Sequence, residues 1–122
     1  MTDPARIREL MLENLFSVVG ERDPEQRSEA IARIYTDDVT WTDPDGTTQG
    51  HAALNQQAQK LLDRMPGFVF SAAGPVHVSR DLGLLNFNLG APKQPPAVSG
   101  VDVALVRDGK IAVLHTLLTR PE

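Results

Sequence analysis

The chain has 122 residues and a mass of 13.3 kDa, the size of one ordinary domain and too short for two that each bury a sizeable core. Asp plus Glu number 16 against 12 Lys plus Arg, so the net charge is −4 with no basic run, which argues against nucleic acid as a partner. Absence of cysteine excludes a disulfide framework, a thiolate zinc site and a cysteine nucleophile, and with no apolar run near the roughly 20 residues that span a bilayer and no apolar signal core at the start, a cytoplasmic protein without membrane contact is expected.

Asp3-Pro4 reads as a helix cap followed by proline at the first helical position. Ile7, Leu10, Met11, Leu15, Val18 and Val19 then recur at spacings of three and four, the stripe of an amphipathic helix that Gly20 stops. Asp23-Pro24 opens a second helix, with Gln26 in place to complete a capping box. Ala30, Ile31, Ile34 and Tyr35 carry its apolar face, and Asp37-Asp38 ends it. Val39, Trp41 and Asp43 alternate with Thr40 and Thr42 in a short strand, closed by the turn Asp43-Pro44-Asp45-Gly46. Leu54, Gln57, Ala58, Leu61, Leu62 and Met65 mark a third helix between Gly50 and Pro66-Gly67.

From Phe68 the period changes to two, with strands expected near 68–79, 82–90, 97–107 and 110–119. Gly74-Pro75 places a bulge or bend in the first, Pro92 to Pro96 is a loop, and Asp108-Gly109 is a hairpin turn. Helices first and a strand meander last point to an α+β fold of one domain, residues 1–122, with an antiparallel sheet packed on one side by helices. The last two strands are apolar on both faces, with Val101, Val103 and Leu105 on one and Val98, Ala104 and Val106 on the other. Helices cover one face, so the other is expected to meet a second copy of the chain in a homodimer through the sheet.

Asp102 shares its strand face with Val98, Gly100, Ala104 and Val106. A carboxylate in such a row either becomes protonated through desolvation, and then donates a hydrogen bond to a substrate oxygen, or pairs with a base or amide across the sheet. Asp43 ends its strand on the face of Trp41. In a pocket it suits a general base; as an Asp before Pro it also suits capping its own turn. Asp45 reads as a solvated turn residue. His51, His77 and His115 are not at metal-ligand spacing, and His115 reads as a core or pocket-wall residue beside Ile111, Val113 and Leu117. Asn86 and Asn88 read as pocket groups or as residues facing a partner. Leu15, Phe16, Trp41, Phe68, Phe70 and Phe87 are candidates to line an apolar pocket or to be plain core.

The run Tyr35-Thr-Asp-Asp-Val-Thr-Trp-Thr-Asp-Pro-Asp-Gly46, then Gly50-His-Ala-Ala-Leu54, and the closing Gly100-Val-Asp-Val-Ala-Leu-Val-Arg-Asp-Gly-Lys-Ile111 resemble the superfamily named for nuclear transport factor 2. Within it the chain is most similar to ketosteroid isomerases and SnoaL-like polyketide cyclases. The resemblance implies a cone of curved, mainly antiparallel sheet wrapped around three helices and enclosing an apolar pocket. It implies an enzyme without metal or organic cofactor, an isomerase, cyclase or dehydratase acting on a small hydrophobic carbonyl compound, polyketide or steroid-like. Asp43 matches the general-base aspartate, Asp102 the protonated aspartate that holds the oxyanion, and Tyr35 a supporting tyrosine. Leu15 stands where the main oxyanion tyrosine is expected. A non-catalytic ligand-binding or dimerisation module of the same fold is the alternative. Epoxide hydrolysis on this fold needs an Asp-Arg-Asp constellation, for which no arginine is evident in the sequence.

Overall fold

A computed structural model describes residues 2–120. Three helices, α1 (Pro4–Glu13), α2 (Pro24–Ile34) and α3 (His51–Asp63), pack in the concavity of a curved, unclosed, mixed sheet. Its strands are β1 (Tyr35–Asp43), β2 (Gly46–Gln49), β3 (Val69–Ala72), β4 (His77–Ser79), β5 (Leu82–Gly90), β6 (Val98–Arg107) and β7 (Lys110–Arg120), in the order β2-β1-β7-β6-β5-β3 with β4 on β5. All pairs are antiparallel except β1 with β7, which joins the two halves of the chain in parallel.

Asp3 and Asp23 cap α1 and α2 as expected, accepting from Ala5 N and Glu25 N. The capping box does not form, because the backbone N–H of Asp23 donates to Glu21 Oε2 and not to Gln26. The first helix is not α-helical throughout. Asn14–Val19 winds as a π-helix, whose last turn is closed by Gly20 N–H bonding the Leu15 carbonyl five residues back. A Cβ on Gly20 would lie 2.7 Å from that carbonyl, so the ending requires glycine.

Tyr35 is the first residue of β1 and not part of the second helix. The chain turns there from helix to strand, and the ring remains fully buried. The stretch expected as one strand over 68–79 is two, β3 and β4, parted at the Gly74-Pro75 step. The polar strand β2 follows the Asp43–Gly46 turn and pairs with β1 along the sheet edge.

The core joins Ile7, Leu10, Met11, Leu15 and Val18 to Ile31, Ile34, Leu54 and Ala58 and to the inner sheet residues Val39, Trp41, Leu85, Phe87, Ala104 and Leu114. Each large apolar side chain so buried contributes about 1.5–3 kcal/mol. The outer face is left bare, with Leu105 47% and Leu117 54% exposed. Asn86 and Asn88 belong to that face, where Asn88 Oδ1 accepts from Ser99 Oγ.

Two arginines fasten α3. Arg22 donates to the carbonyls of Leu62, Met65 and Phe68, holding the turn after the helix. Arg27 is fully buried and its guanidinium donates to the Glu21 carbonyl, Asn55 Oδ1 and Gln59 Oε1, all neutral acceptors. Burial holds it below the usual arginine pKa, against the opposing pull of Glu21, Asp63 and Asp23. Arg27→Met keeps the apolar stem and deletes three bonds, so urea denaturation is expected to register a loss of about 2 kcal/mol. An unchanged midpoint would assign α2–α3 packing to apolar contacts alone.

Candidate active site

The inner face of the sheet opens between α3 and the ends of β1, β6 and β7 into a cavity of about 210 Å³. Its walls are apolar: Val19, Leu61, Met65, Phe70, Phe87, Leu89, Val98 and Leu118, with Trp41 beside them. Polar atoms enter from Asp102 and Thr116, and from Asp43, Asp45 and Arg64.

Asp102 reaches the cavity because even-numbered β6 residues face inward. Only 2% of it is exposed. Thr116, its cross-strand partner on β7, donates to Oδ1 at 2.7 Å and is itself the acceptor for Trp41 Nε1 at 3.0 Å. Asn14 Nδ2 donates to Oδ2 at 3.2 Å, and Asn14 Oδ1 accepts from the Tyr35 hydroxyl. Desolvation raises the Asp102 carboxyl to about pH 7, against the two hydrogen bonds, which favour the charged form. A group at that point exchanges protons readily in either direction near neutrality. Tyr35 is held well above the ordinary phenol range, first by burial and then by the Asp102 charge, so its hydroxyl stays neutral.

Asp43 lies at the mouth, 8% exposed. It caps its own turn and lines the cavity as well. Oδ1 caps its own turn, accepting from Asp45 N at 2.8 Å and Gly46 N at 3.2 Å. Oδ2 accepts from Gln57 Nε2 at 3.0 Å, and the residue lines the same cavity as Asp102. Asp45 is not merely solvated. It bonds the other side of Gln57 Nε2 and pairs with Arg64 at 2.8 Å, which holds its carboxyl below the usual range.

Several expected pocket residues lie elsewhere. Phe16 points outward from the π-helix and is 48% exposed. Leu15 is fully buried among the helices and Phe68 is half-buried in the turn after α3, and neither lines the cavity. His115 is exposed on the outer face, pairing with Val103 and Thr42 across the strands. Val113 and Leu117 do share its face, which is turned from the helices, but Ile111 does not: the register shift between β6 and β7 puts it opposite Val106 in the core. Phe70 stands in place of Phe68, edge-on to Phe87 with ring centroids 5.6 Å apart. Asn14 was readable from the sequence, since it falls on the apolar stripe three residues after Met11. Arg64 supplies an arginine at the cavity, but its guanidinium bonds Asp45 and does not bridge Asp43 to Asp102. Among the described residues no three metal-ligating side chains cluster, and no helix is long and apolar enough to cross a membrane.

A cone of helices in a curved sheet, with one buried and one turn-held carboxyl on a shared apolar cavity, is the architecture of a small α+β pocket domain. The chain belongs to the SnoaL-like domain family, which it matches over residues 12–114. The fold is shared with a candidate isomerase of the SnoaL-like family from Agrobacterium tumefaciens, at 18% identity and TM-score 0.87, covering 95% of this chain and 99% of that one. A candidate ketosteroid isomerase from Kribbella flavida is 18% identical at TM-score 0.75, with coverage of 100% and 84%. A candidate SnoaL-like polyketide cyclase from Jannaschia is 13% identical at TM-score 0.77, with coverage of 98% and 90%. No curated protein sequence matches the chain.

Proposed function

We propose that the protein is a cofactor-independent enzyme that moves a proton next to the carbonyl of a small hydrophobic compound, as an isomerase, cyclase or dehydratase. The observation that carries this is the presence of Asp43 and Asp102 on one apolar cavity in different surroundings. Two carboxyls whose environments differ can divide acid and base work. Asp43, as carboxylate, takes the proton on carbon. The electron pair of that C–H bond moves onto the carbonyl oxygen. Protonated Asp102 meets the oxyanion, its O–H directed into the cavity while both oxygens keep the bonds from Thr116 and Asn14. Return of the proton from Asp43 to a different carbon of the conjugated enolate, as the oxygen's electron pair re-forms the carbonyl and the double bond shifts, completes an isomerisation. Tyr35 acts behind Asp102 through Asn14 and is a positioning residue.

The direct test is wash-in of solvent deuterium at the acidic positions of a cyclic enone, followed by mass spectrometry. Exchange above the buffer rate supports the proposal; exchange at the buffer rate with the enone bound leaves a ligand-binding module. That second reading has its own support, because three protein donors already occupy Asp43.

The bare outer face is assigned to a second copy of the chain. Leu105 and Leu117 there are flanked by half-buried Val101, Val103 and Val113, an apolar patch that monomers seldom expose. Leu117→Asp is expected to convert dimers into monomers in sedimentation, and a wild-type chain that sediments as a monomer would overturn the assignment. The cell compartment proposed is the cytoplasm, from the absence of cysteine.

A further inference from the structure

The cavity is small for the compounds that a family with steroid and polyketide names suggests. A dry cavity of about 150 Å³ takes benzene, so the 210 Å³ between these walls and the mouth at Asp43 holds roughly eight to ten non-hydrogen atoms. That is one ring with a carbonyl and a short substituent. A four-ring skeleton is about twice as large.

Two aromatic side chains, Phe70 and Phe87, form the wall that sets this limit. Phe87 is the cross-strand partner of Gly100, where a Cβ would come within 2.5 Å of its ring. Phe70 is packed on the other side, with its ring 3.4 Å from where a Cβ on Gly20 would stand. Each ring therefore backs onto main chain and faces the other edge-on. β3 carries Phe70 in register with Leu89 of β5, which also lines the cavity. The buried polar end lies at Asp102 and Thr116, beside the indole of Trp41, while the charged groups Asp43, Asp45 and Arg64 stand at the mouth.

We infer that the ligand is a one-ring apolar carbonyl compound, seated with its oxygen at Asp102 and Thr116, and that Phe70 is the residue that excludes larger skeletons. This rests on the proposed ligand class but not on turnover, so binding tests it apart from catalysis.

Trp41 is the sole tryptophan, and its indole N–H is bonded to Thr116 inside the cavity, so its NMR cross-peak reports occupancy directly. The wild-type protein is titrated with three enones of one headgroup: cyclohexenone, a two-ring octalone and a four-ring steroid enone. Hydrophobicity alone favours the largest. The expected result is the reverse: the one-ring enone moves the Trp41 peak and the four-ring enone binds at least tenfold more weakly or leaves the peak unmoved. Phe70→Ala is expected to bring the four-ring enone to equal or tighter binding, and Phe70→Leu to shift the order in the same direction should the alanine variant not fold.

Tighter wild-type binding of the four-ring enone with the same peak movement overturns the size limit. Retention of the wild-type order in a folded Phe70 variant overturns the role of Phe70. Binding of none of the three overturns this inference and the carbonyl ligand class together. Size-selective binding without deuterium exchange leaves the inference standing and removes only the catalytic reading.

Discussion

Asp43→Asn is expected to lower deuterium exchange into a bound enone by about a thousandfold, within the usual range for removing a positioned general base. The substitution is chosen because it spares the fold. An asparagine oxygen still accepts from Asp45 N and Gly46 N, so the turn keeps its cap. Gln57 either keeps its amide on Asp45 and loses the bond to Oδ2, or turns its oxygen toward the new amide and loses the bond to Asp45, which Arg64 still holds, so one exposed-side hydrogen bond is lost. Unfolding free energy should therefore change by less than about 1 kcal/mol. Loss of exchange with stability intact assigns the proton transfer to the carboxylate. Exchange at the wild-type rate would reject Asp43 as the base and direct attention to Asp102, which titrates near neutrality.

A second large effect concerns stability and pH. The Asp102 carboxyl is raised by burial from an ordinary value of 3.8 to about 7. Below the ordinary value it is protonated in both folded and unfolded chains. Between the two values the unfolded chain releases the proton and the folded chain keeps it, so stability falls as pH rises through this window. Above about 7 the loss is complete, and a shift of this size corresponds to about 4 kcal/mol. Asp38 and Asp45 slope the other way, since their partners Thr36, Arg107, Arg64 and Gln57 hold their carboxyls below the usual range. They are present in wild type and variant alike, so the difference between the two isolates Asp102. Asp102→Asn removes the burial of a charge, and Thr116 and Asn14 can reorient to bond an amide. In urea titrations its stability relative to wild type should grow from pH 4 to about pH 7 and level off above it. A gap independent of pH would place the Asp102 carboxyl at an ordinary value.

Much of this arrangement was open to reading from residue pattern. The Asp108-Gly109 hairpin, the spans of β5, β6 and β7, and the inward aim of Asp102 all follow from period and turn chemistry, which are local. What escaped is non-local or carries weak local signal. β2 is Gly-Thr-Thr-Gln, with no apolar residue to mark it, and exists because a hairpin returns it to β1. Apolar neighbours do not place His115 in the core, because both faces of this sheet are apolar. Phe16 lies off the stripe of Ile7, Leu10, Met11, Leu15, Val18 and Val19 and so faces outward; its hydrophobic type alone does not set a side. Arg64 comes to the cavity only through the packing of α3 against the turn at Asp45, a contact that sequence spacing does not suggest.

The π-helical segment has a consequence for how this site can change over generations. A π-helix amounts to one residue more than an α-helix of the same length, and each residue of a helix turns the chain by about 100°. Shortening Asn14–Val19 by one residue would rotate everything on its N-terminal side against the sheet, swinging Asn14 away from Tyr35 and Asp102 while leaving β6 and β7 untouched. The support behind the buried carboxyl is thus set by the length of six residues and not by their identity alone. Relatives with the same strands can differ in that support through a single insertion or deletion, with no substitution at the carboxyl itself.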